Sequence, residues 1–243
     1  MRTALALLVC VLLAGCSAAQ APDAPRPSTC TRLADDAMVW IPGGSFTMGE
    51  NPRYPEEGPP RVVSVAGFWM DAHEVTNAQF AAFVAATGYV TMAERTPPAL
   101  PGALPEMLRP GSAVFRVPTP ENRAWWRWAV GAQWRDPVGD KGGIEGRERH
   151  PVVQIAYEDA AAYAKWAGKQ LPGEAQWEYA ARAGARALPE PVDASGKPQA
   201  NTYQGVFPAN DLGTDGFTGR APVGCFAANA FGLHDMIGNV WEW

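Results

Sequence analysis

The sequence predicts one compact α+β domain in which much of the chain is irregular. Its 243 residues include 25 Gly and 23 Pro, which favours turns and loops over long regular elements. Helix-like and strand-like patterns are short, and long stretches without a clear period separate them. Apolar residues make up 47% of the chain, which is enough material for a substantial core.

Strands are predicted near the start of this domain. The segment "MVWIPGGSFTMG", residues 38–49, has two short apolar runs on either side of Pro42, Gly43 and Gly44. This pattern is typical of a strand, a tight turn and a second strand. The segment "RVVSVAGFWMD", residues 61–71, is a further strand candidate.

Three short helices are predicted. The first lies in "EVTNAQFAAFVAATGY", where Thr76 and Gln79 form a capping-box pattern and Gly88 is a C-terminal stop. The second lies in "AYEDAAAYAKWAGKQLP" and stops at Gly168, and the third runs from about residue 173 to residue 182. Helical spacing predicts these inward-facing residues: Phe80, Phe83 and Val84; Tyr163, Trp166 and Ala167; and Trp177, Ala180 and Ala181.

The remaining segments are predicted to be mainly loops. Residues 91–149 are rich in Pro, Gly and Trp and show no clear period, and the chain after Gly184 is again mostly irregular. The chain has 10 Trp, which predicts a core built on large aromatic side chains. Long loops inside a compact domain are usually functional or stabilised by a metal, so the loops become candidates for the site.

The N-terminus has the pattern of an export signal. In "MRTALALLVCVLLAGC", Arg2 precedes an apolar run that is too short to span a bilayer. "LAGC" looks like a bacterial lipobox, although an ordinary signal peptide with a chance Cys is an alternative. We therefore predict a signal peptide at 1–15, lipidation of Cys16, a flexible tether at 16–37 and a folded domain at 38–243. Ser17 favours the periplasmic face of the outer membrane or the cell surface, with anchoring to the membrane through the lipid.

Charge and motif patterns exclude several classes of function. A formal net charge of -5 and a pI near 5.3 argue against a nucleic-acid partner. The three His are far apart and lack zinc-ligand spacing, so each is expected to make structural hydrogen bonds. Signature motifs of serine hydrolases, P-loop proteins and dinucleotide-binding folds do not occur. After export and lipidation, Cys30 and Cys225 remain, and they could pair with each other or with residues elsewhere.

Two loops have the composition of hard-cation sites. Residues 200–219 concentrate Asn201, Asp215 and other Asn and Asp residues among Gly, which suits calcium, with Asx turns as the alternative. In "DMIGNVWEW", Asp235 and Glu242 bracket the Gly238-Asn239 pair. A turn there would bring the two acids together, and their partner would be either a cation or a Lys or Arg side chain.

Several segments, taken in order, resemble the formylglycine-generating enzyme (sulfatase-modifying factor) family. They are "MVWIPGGSFTMG", "MDAHEVTNAQFAAFVAATGY", "WAGKQLPGEAQWEYAARAG" and "FGLHDMIGNVWEW". The resemblance covers residues 38–243. The segment "AWWRWAVGAQWRDPVGDKGGIEGRERHPVV" is similar to the Trp-rich insert of the true enzymes of this family.

The resemblance implies a fold, a reaction and cofactors. The fold would be the complex α+β fold of the family, related to C-type lectins, with little regular secondary structure. The reaction would oxidise the Cys of a C-x-P-x-R sequence in an unfolded sulfatase to Cα-formylglycine. It would use O2 and a Cu(I) ion held by two thiolates, which are ligands that suit a soft ion.

The resemblance also implies two calcium sites. The first would use the side chains of Asn201 and Asp215 with the carbonyls of Thr202 and Phe217. The second would use the side chains of Asp235 and Glu242 with the carbonyls of Gly238 and Val240. Asp235 stands where other members can have an amide, which adds negative charge to the second site.

The sequence departs from the family pattern in its cysteines. The two copper-binding Cys and a closing G-F-R motif are expected beyond Trp243, so the fold is expected to be incomplete at the C-terminus. Cys225 matches neither ligand. Ala164 and Ala181 stand where some members have structural Cys.

Because the copper ligands are expected beyond Trp243, we expect Cu(I) only in the full-length parent. We expect this chain to be an inactive fragment of low stability. A non-catalytic surface binding module is the alternative, and an iron-dependent sulfoxide synthase is disfavoured by the Trp-rich insert.

Overall fold

The computed structural model describes residues 30–50, 52, 54–99 and 101–243 of the chain. The predicted signal peptide, Cys16 and most of the predicted tether lie outside these residues. The described part is an α+β fold of short elements joined by long loops, as predicted. None of its helices is long and apolar enough to cross a membrane.

Four strands at the start of the domain form two antiparallel pairs. Strand β1 (Met38–Ile41) pairs with β4 (Phe68–Asp71), and β2 (Gly44–Met48) pairs with β3 (Arg61–Val65). The predicted strands are therefore present. However, β1 and β2 do not pair with each other across the Pro-Gly-Gly segment, and the single candidate at 61–71 is two strands.

One interrupted ladder explains this pairing. Met38 faces Asp71 and Met48 faces Arg61, so both strand pairs have the same register. The interruption falls at Pro42, which has no N–H to donate, and at Gly43. A Cβ atom on Gly43 would lie 2.9 Å from the backbone nitrogen of Gly67 on the opposite side. The close approach of the two backbones thus requires glycine, and Pro42 and Gly43 break a long ladder without reversing the chain.

The three helices lie where the sequence predicts them. They are α1 (Asn77–Thr87), α2 (Tyr157–Trp166) and α3 (Glu174–Arg182). The capping box of α1 is formed, because Gln79 N donates to Thr76 Oγ1 at 3.3 Å and Thr76 N donates to Gln79 Oε1 at 2.7 Å. Gly88 ends α1 in the left-handed conformation with φ of 66°.

The predicted inward faces are confirmed except at Trp166. Tyr163, Ala180 and Ala181 are buried, whereas Trp166 is 44% exposed. Its ring still contacts the ring of Phe83, with a centroid distance of 5.5 Å, so it covers the edge of the core. Within the described part of the chain, short 310 helices also occur at Pro55–Glu57, Met92–Glu94 and Pro105–Leu108.

The long middle segment contains a hairpin that the sequence pattern did not indicate. Strands β5 (Gly111–Phe115) and β6 (Trp126–Val130) pair antiparallel. Strand β6 includes part of the Trp-rich insert. After Gly184 the strands are two residues long, β7 (Gly205–Val206) and β8 (Asn210–Asp211), in agreement with the predicted irregular structure.

Two buried clusters form the core of the described residues. One joins the broken ladder, α3 and the segment after it, and comprises Ile41, Val65, Tyr179, Ala180, Ala181, Leu233 and Met236. The other joins α1 and α2 and comprises Phe80, Phe83, Val84, Trp134 and Tyr163. Large aromatic side chains are prominent in the core, as predicted, but they are mainly Phe and Tyr, with Trp134. Most tryptophans contribute little to it, because the following are exposed: Trp40, Trp69, Trp125, Trp126, Trp166, Trp241 and Trp243.

The first described residues are attached to the domain, although the sequence assigned them to the tether. Cys30 forms a disulfide with Cys225, which settles the pairing that the sequence left open. Thr31 N donates to the Gly224 carbonyl at 2.9 Å, and Arg149 donates to the Thr31 carbonyl at 2.7 Å. Residues 30–37 are therefore part of the folded unit.

Candidate functional site

The structure brings together the four residues predicted for the first calcium site. Asp215 Oδ2 accepts hydrogen bonds from Thr202 N at 2.9 Å and from Gln204 Nε2 at 2.6 Å, and its Oδ1 accepts from Phe217 N at 2.9 Å. Asn201 and Asp215 are each 5% exposed. A buried carboxylate thus organises the loop, and among the described residues it has no ion-pair partner.

The second predicted site lies in the turn that follows Leu233. Asp235 Oδ2 accepts from Gly224 N at 2.8 Å, and Glu242 Oε2 accepts from Trp177 Nε1 at 3.1 Å. Asp235, Gly238 and Asn239 all have positive φ, which turns the backbone sharply at this point. The structure therefore places the turn where the Gly238-Asn239 pair predicts it.

Asn239 connects the two loops. Its Oδ1 accepts from Asn201 Nδ2 at 2.8 Å and from Ala221 N at 2.9 Å. Its backbone N–H donates to the Asn201 carbonyl at 2.8 Å, and its Nδ2 donates to Glu74 Oε1 at 2.9 Å. The sequence analysis included Asn239 in the turn but did not assign this connecting role to its side chain.

Glu74 is a buried acid that the sequence analysis missed. It is 9% exposed, and its Oε2 atom has no hydrogen-bond partner in the described part of the chain. Burial raises the pKa of Glu74 to about 8, with the negative charges of Asp235 and Glu242 as further causes. A Glu two residues before the N-cap of a helix was the available signal, but sequence alone could not place it beside a turn far along the chain.

The neighbouring acids respond to the same environment. Burial is the main cause that raises the pKa of Asp235, and also that of Glu242, although part of Glu242 is exposed.

Throughout the described residues, no three His, Cys, Asp or Glu side chains are arranged so that they alone could hold a metal. Any ion here would also need carbonyl or amide oxygens, which calcium accepts. The donor chemistry of both loops fits calcium on these terms.

A large groove runs beside the second loop. Its volume is about 3110 Å³, and its lining includes Glu74, Asp235 and Glu242. Aromatic side chains also line it: Trp69, Trp125, Trp126, Trp128, Trp177, Tyr203, Phe207, Trp241 and Trp243. Most of the tryptophans that are missing from the core therefore lie along this groove.

The family relationship follows from comparison with known proteins. Residues 23–243 match the family described as "Sulfatase-modifying factor enzyme 1-like domain". The chain belongs to this family. It therefore shares the sulfatase-modifying factor fold that the sequence resemblance predicts.

Several relatives carry the name formylglycine-generating enzyme. The one from Mycobacterium tuberculosis is 51% identical over 216 residues, which cover 85% of this chain and 72% of the relative. The one from Mus musculus is 44% identical and covers 90% of this chain, but this chain spans 59% of it. A second mouse relative, 38% identical, is named "Inactive C-alpha-formylglycine-generating enzyme 2" and covers 88% of this chain, which spans 72% of it.

A solved structure supports the fold independently of these names. PvdO from Pseudomonas aeruginosa superposes with a TM-score of 0.58 and 30% sequence identity, covering 90% of this chain and 74% of PvdO. This arrangement of short elements and long loops therefore also occurs in a solved structure.

The cysteines do not fit the copper site that the family resemblance implies. Cys30 and Cys225 are the cysteines of the described residues, and their sulfur atoms are joined in a disulfide. Neither sulfur can serve as a thiolate ligand for Cu(I) in this state. Within the described residues, this member of the family therefore has no thiol pair for copper.

The histidines have different surroundings. His73 Nδ1 lies 2.7 Å from the Glu74 carbonyl, and His234 Nδ1 lies 2.9 Å from the Phe226 carbonyl, which agrees with the predicted structural roles. His150 Nδ1 is buried without a partner in the described part of the chain. Burial, followed by the positive charges of Arg220 and Arg147, lowers the pKa of His150.

Proposed function

We propose that this chain belongs to an oxidoreductase that converts the Cys of a C-x-P-x-R sequence in an unfolded sulfatase to Cα-formylglycine. The reaction would use O2 and Cu(I). The family match is the main support for this proposal, because the matched residues, 23–243, include every residue that lines the groove. The 51% identity to the formylglycine-generating enzyme of Mycobacterium tuberculosis supports it.

The groove suits an extended peptide better than a small molecule. Trp125, Trp126 and Phe207 are exposed and line it, so they offer apolar ring surface to the side chains of an unfolded segment. Glu174 and Glu190 also line the groove and would attract the Arg of the substrate sequence. An unfolded sulfatase polypeptide is therefore the proposed partner.

Two calcium ions would support the walls of this groove. Asn201 and Asp215, with the carbonyls of Thr202 and Phe217, would hold the first ion. The second ion would lie in the turn that contains Asp235, Gly238, Val240 and Glu242. Calcium favours such combinations of carboxylate, amide and carbonyl oxygens in flexible loops.

The copper ligands are proposed to lie outside the 243 residues. Because the described cysteines are joined to each other, no copper step can be assigned to them. The DNA beyond codon 243 gives a direct check, since we expect an open reading frame with two closely spaced Cys and a G-F-R motif. A stop codon at that point would favour a binding role.

Peptide conversion tests the proposed reaction. Protein extended to include the proposed thiols is loaded with Cu(I) and incubated in air with a C-x-P-x-R peptide, and mass spectrometry detects the aldehyde product. We expect product from the extended protein and none from the 243-residue chain. Absence of product with a folded, copper-loaded, extended protein would overturn the proposal.

A non-catalytic binding module is the second candidate. Two observations favour it: the disulfide occupies both described cysteines, and a 38% identical mouse relative is named as inactive. Such a module would bind the peptide through the same groove and leave its Cys unchanged. Tryptophan fluorescence during peptide titration, followed by mass spectrometry of the peptide, separates binding from conversion.

We further propose that the protein is an exported lipoprotein anchored through Cys16, on the periplasmic face of the outer membrane or at the cell surface. The "LAGC" motif at residues 13–16 supports this proposal. Replacing the acylated residue, Cys16→Ser, should move the protein from the membrane fraction to the soluble fraction. A variant that remains membrane-bound would contradict it.

A further inference from the structure

A group of basic side chains in the groove lacks a carboxylate partner. Arg147, His150 and Arg220 all line this groove. The ion pairs of the described residues include none of the three. Neither arginine side chain donates a hydrogen bond within the part of the chain that the structure describes. Because the chain as a whole has a formal net charge of -5, an unpaired basic group in its largest groove calls for an explanation.

The backbone on both sides of Arg220 is held in place. Asn201 Nδ2 donates to the Gly219 carbonyl at 2.8 Å, immediately before Arg220. Immediately after it, Ala221 N donates to Asn239 Oδ1 at 2.9 Å. Arg220 therefore projects from a segment that is hydrogen-bonded to both candidate calcium loops.

The turn that carries Arg147 and His150 is attached to the same segment. His150 N donates to the Arg147 carbonyl at 3.1 Å and closes the turn. Val223 N donates to the Arg149 carbonyl at 2.9 Å, which joins this turn to the residues that follow Arg220. The basic side chains thus come from two segments that the backbone holds next to each other.

The charges in this group repel one another. Arg220 is half-buried, and burial, followed by the positive charge of Arg147, lowers its pKa. Both arginines also lower the pKa of His150. Glu148 lies on the same turn, but its Oε1 accepts from Gly146 N at 3.0 Å and it forms no ion pair with the arginines. A bound anion would relieve this repulsion.

A carboxylate on the polypeptide in the groove suits this position. Guanidinium groups bind carboxylates through a planar fork of N–H donors, and such charge-assisted bonds are strong. Glu174 and Glu190 line the same groove and would attract the Arg of the C-x-P-x-R sequence. A segment with charges of both signs would then lie in one direction and one register, because each end finds the opposite charge.

We propose that Arg147 and Arg220 form an oxyanion-binding pair, which binds an acidic side chain of the polypeptide that occupies the groove. This inference rests on the proposed peptide-binding function. It adds a determinant of specificity outside the C-x-P-x-R sequence, namely an Asp or Glu that flanks this sequence on one side.

Titration with four peptides tests this assignment. Each peptide contains C-x-P-x-R and no Trp, with three Asp, or three Asn in the matched version, on its N-terminal or its C-terminal side. The tryptophan fluorescence of the purified chain, with its disulfide formed, reports binding at neutral pH and low salt. One Asp peptide should bind about tenfold more tightly than its Asn version, although the net charge of the chain opposes this. Added NaCl should reduce the gain.

Substitutions identify the side chains responsible. Arg220→Gln should remove most of the gain from Asp, and Arg147→Gln should remove part of it. Arg95→Gln is the matched control: Arg95 lines the groove and carries the same charge, but its Nε atom already donates to the Val90 carbonyl at 2.9 Å. This control should keep the gain. Arg220→Lys retains the charge without the planar fork, so it should keep only part of the gain.

Thermal melts separate binding from a structural role. Without peptide, Arg220→Gln should melt at the same or a higher temperature than wild type, because it removes a half-buried charge that has no partner. A structural role for Arg220 predicts a lower melting temperature. If Arg220→Gln does not fold, Arg220→Lys and Arg147→Gln provide the test. Melts in sodium sulfate and in NaCl at equal ionic strength examine a free anion.

The outcomes separate the inference from the proposed function. If all four peptides bind wild type and Asp gives no gain, the oxyanion role is overturned and the peptide groove stands. A gain that persists in Arg220→Gln, or that Arg95→Gln removes equally, also overturns it. If none of the four peptides binds, both proposals are wrong. A stabilisation specific to sulfate that requires Arg220, without a gain from Asp, would assign the pair to a free inorganic anion and overturn the role in peptide binding.

Discussion

At the scale of single residues, His150 illustrates how burial and charge act together. Its Nδ1 atom is buried without a partner in the described part of the chain, and Arg220 and Arg147 add positive charge nearby. The pKa of His150 is therefore lower in the folded protein than its usual value of 6.5. Just below that value the unfolded chain binds this proton more readily than the folded chain.

Stability should therefore fall as the pH decreases through about 6.5 towards the folded pKa of His150. His150→Gln removes the titrating group, so its free energy of unfolding should depend less on pH in this window. Urea unfolding of both proteins at about pH 7.5 and about pH 5.5 measures the difference. Parallel losses of stability in the two proteins would show that His150 does not carry this dependence.

Residue-level prediction from sequence was best where the chemistry was local. Thr76 bonds Gln79 at the start of α1, and Gly88 bonds Val84 at its end, so each contact spans only a few residues, and these roles were predicted and are confirmed. The surroundings of Glu74 depend on Asp235 and Asn239, which approach it only after folding. No local pattern in the sequence predicts a contact between residues so far apart in the chain.

At the scale of elements, the two candidate calcium loops meet at Gly238. This residue has a φ of 78°, and a Cβ atom there would overlap the Asn201 carbonyl oxygen.

Strand pairing shows a limit of prediction from sequence. The apolar runs of β1 and β2 were recognised, but their partners were set by the close approach of Gly43 and Gly67, which is a non-local contact.

Gly238→Ala should push the two loops apart. Gly184→Ala is the matched control, because Gly184 has a similar φ of 88° and open space where a Cβ atom would lie. The control should lose about 1 kcal/mol through left-handed strain. Gly238→Ala should lose at least about 2 kcal/mol more through overlap, and should also weaken calcium binding. Chemical unfolding and calorimetry measure both effects, and equal losses in the two variants would exclude the loop contact as their cause.

At the scale of the whole molecule, the disulfide links residues that are 195 positions apart. It holds residues 30–37 against the loop that contains Gly224, whose N–H donates to Asp235 at 2.8 Å. The covalent link and the second candidate site therefore share one loop. The α+β class and the family could be predicted from sequence because composition and ordered motifs reflect the whole chain. The exposure of the tryptophans along the groove could not be predicted from the sequence.

Replacing both cysteines, Cys30→Ser with Cys225→Ser, should lower the free energy of unfolding by about 2 to 5 kcal/mol, because the unfolded chain gains freedom. Thermal and urea unfolding measure the loss. Wild type treated with a reductant provides the comparison and should lose a similar amount. A double variant as stable as the oxidised protein would show that the bond contributes nothing to stability.

The same bond makes the segment from Cys30 to Cys225 a closed covalent ring. The exposed stretch at residues 185–190 lies inside that ring, in a position open to a protease. A single cut there would leave both fragments joined, so the nicked protein would keep its full mass until a reductant separated them. If Cys16 carries lipid, both fragments would also stay at the membrane. A protease would then cleave the chain without releasing either fragment from the membrane.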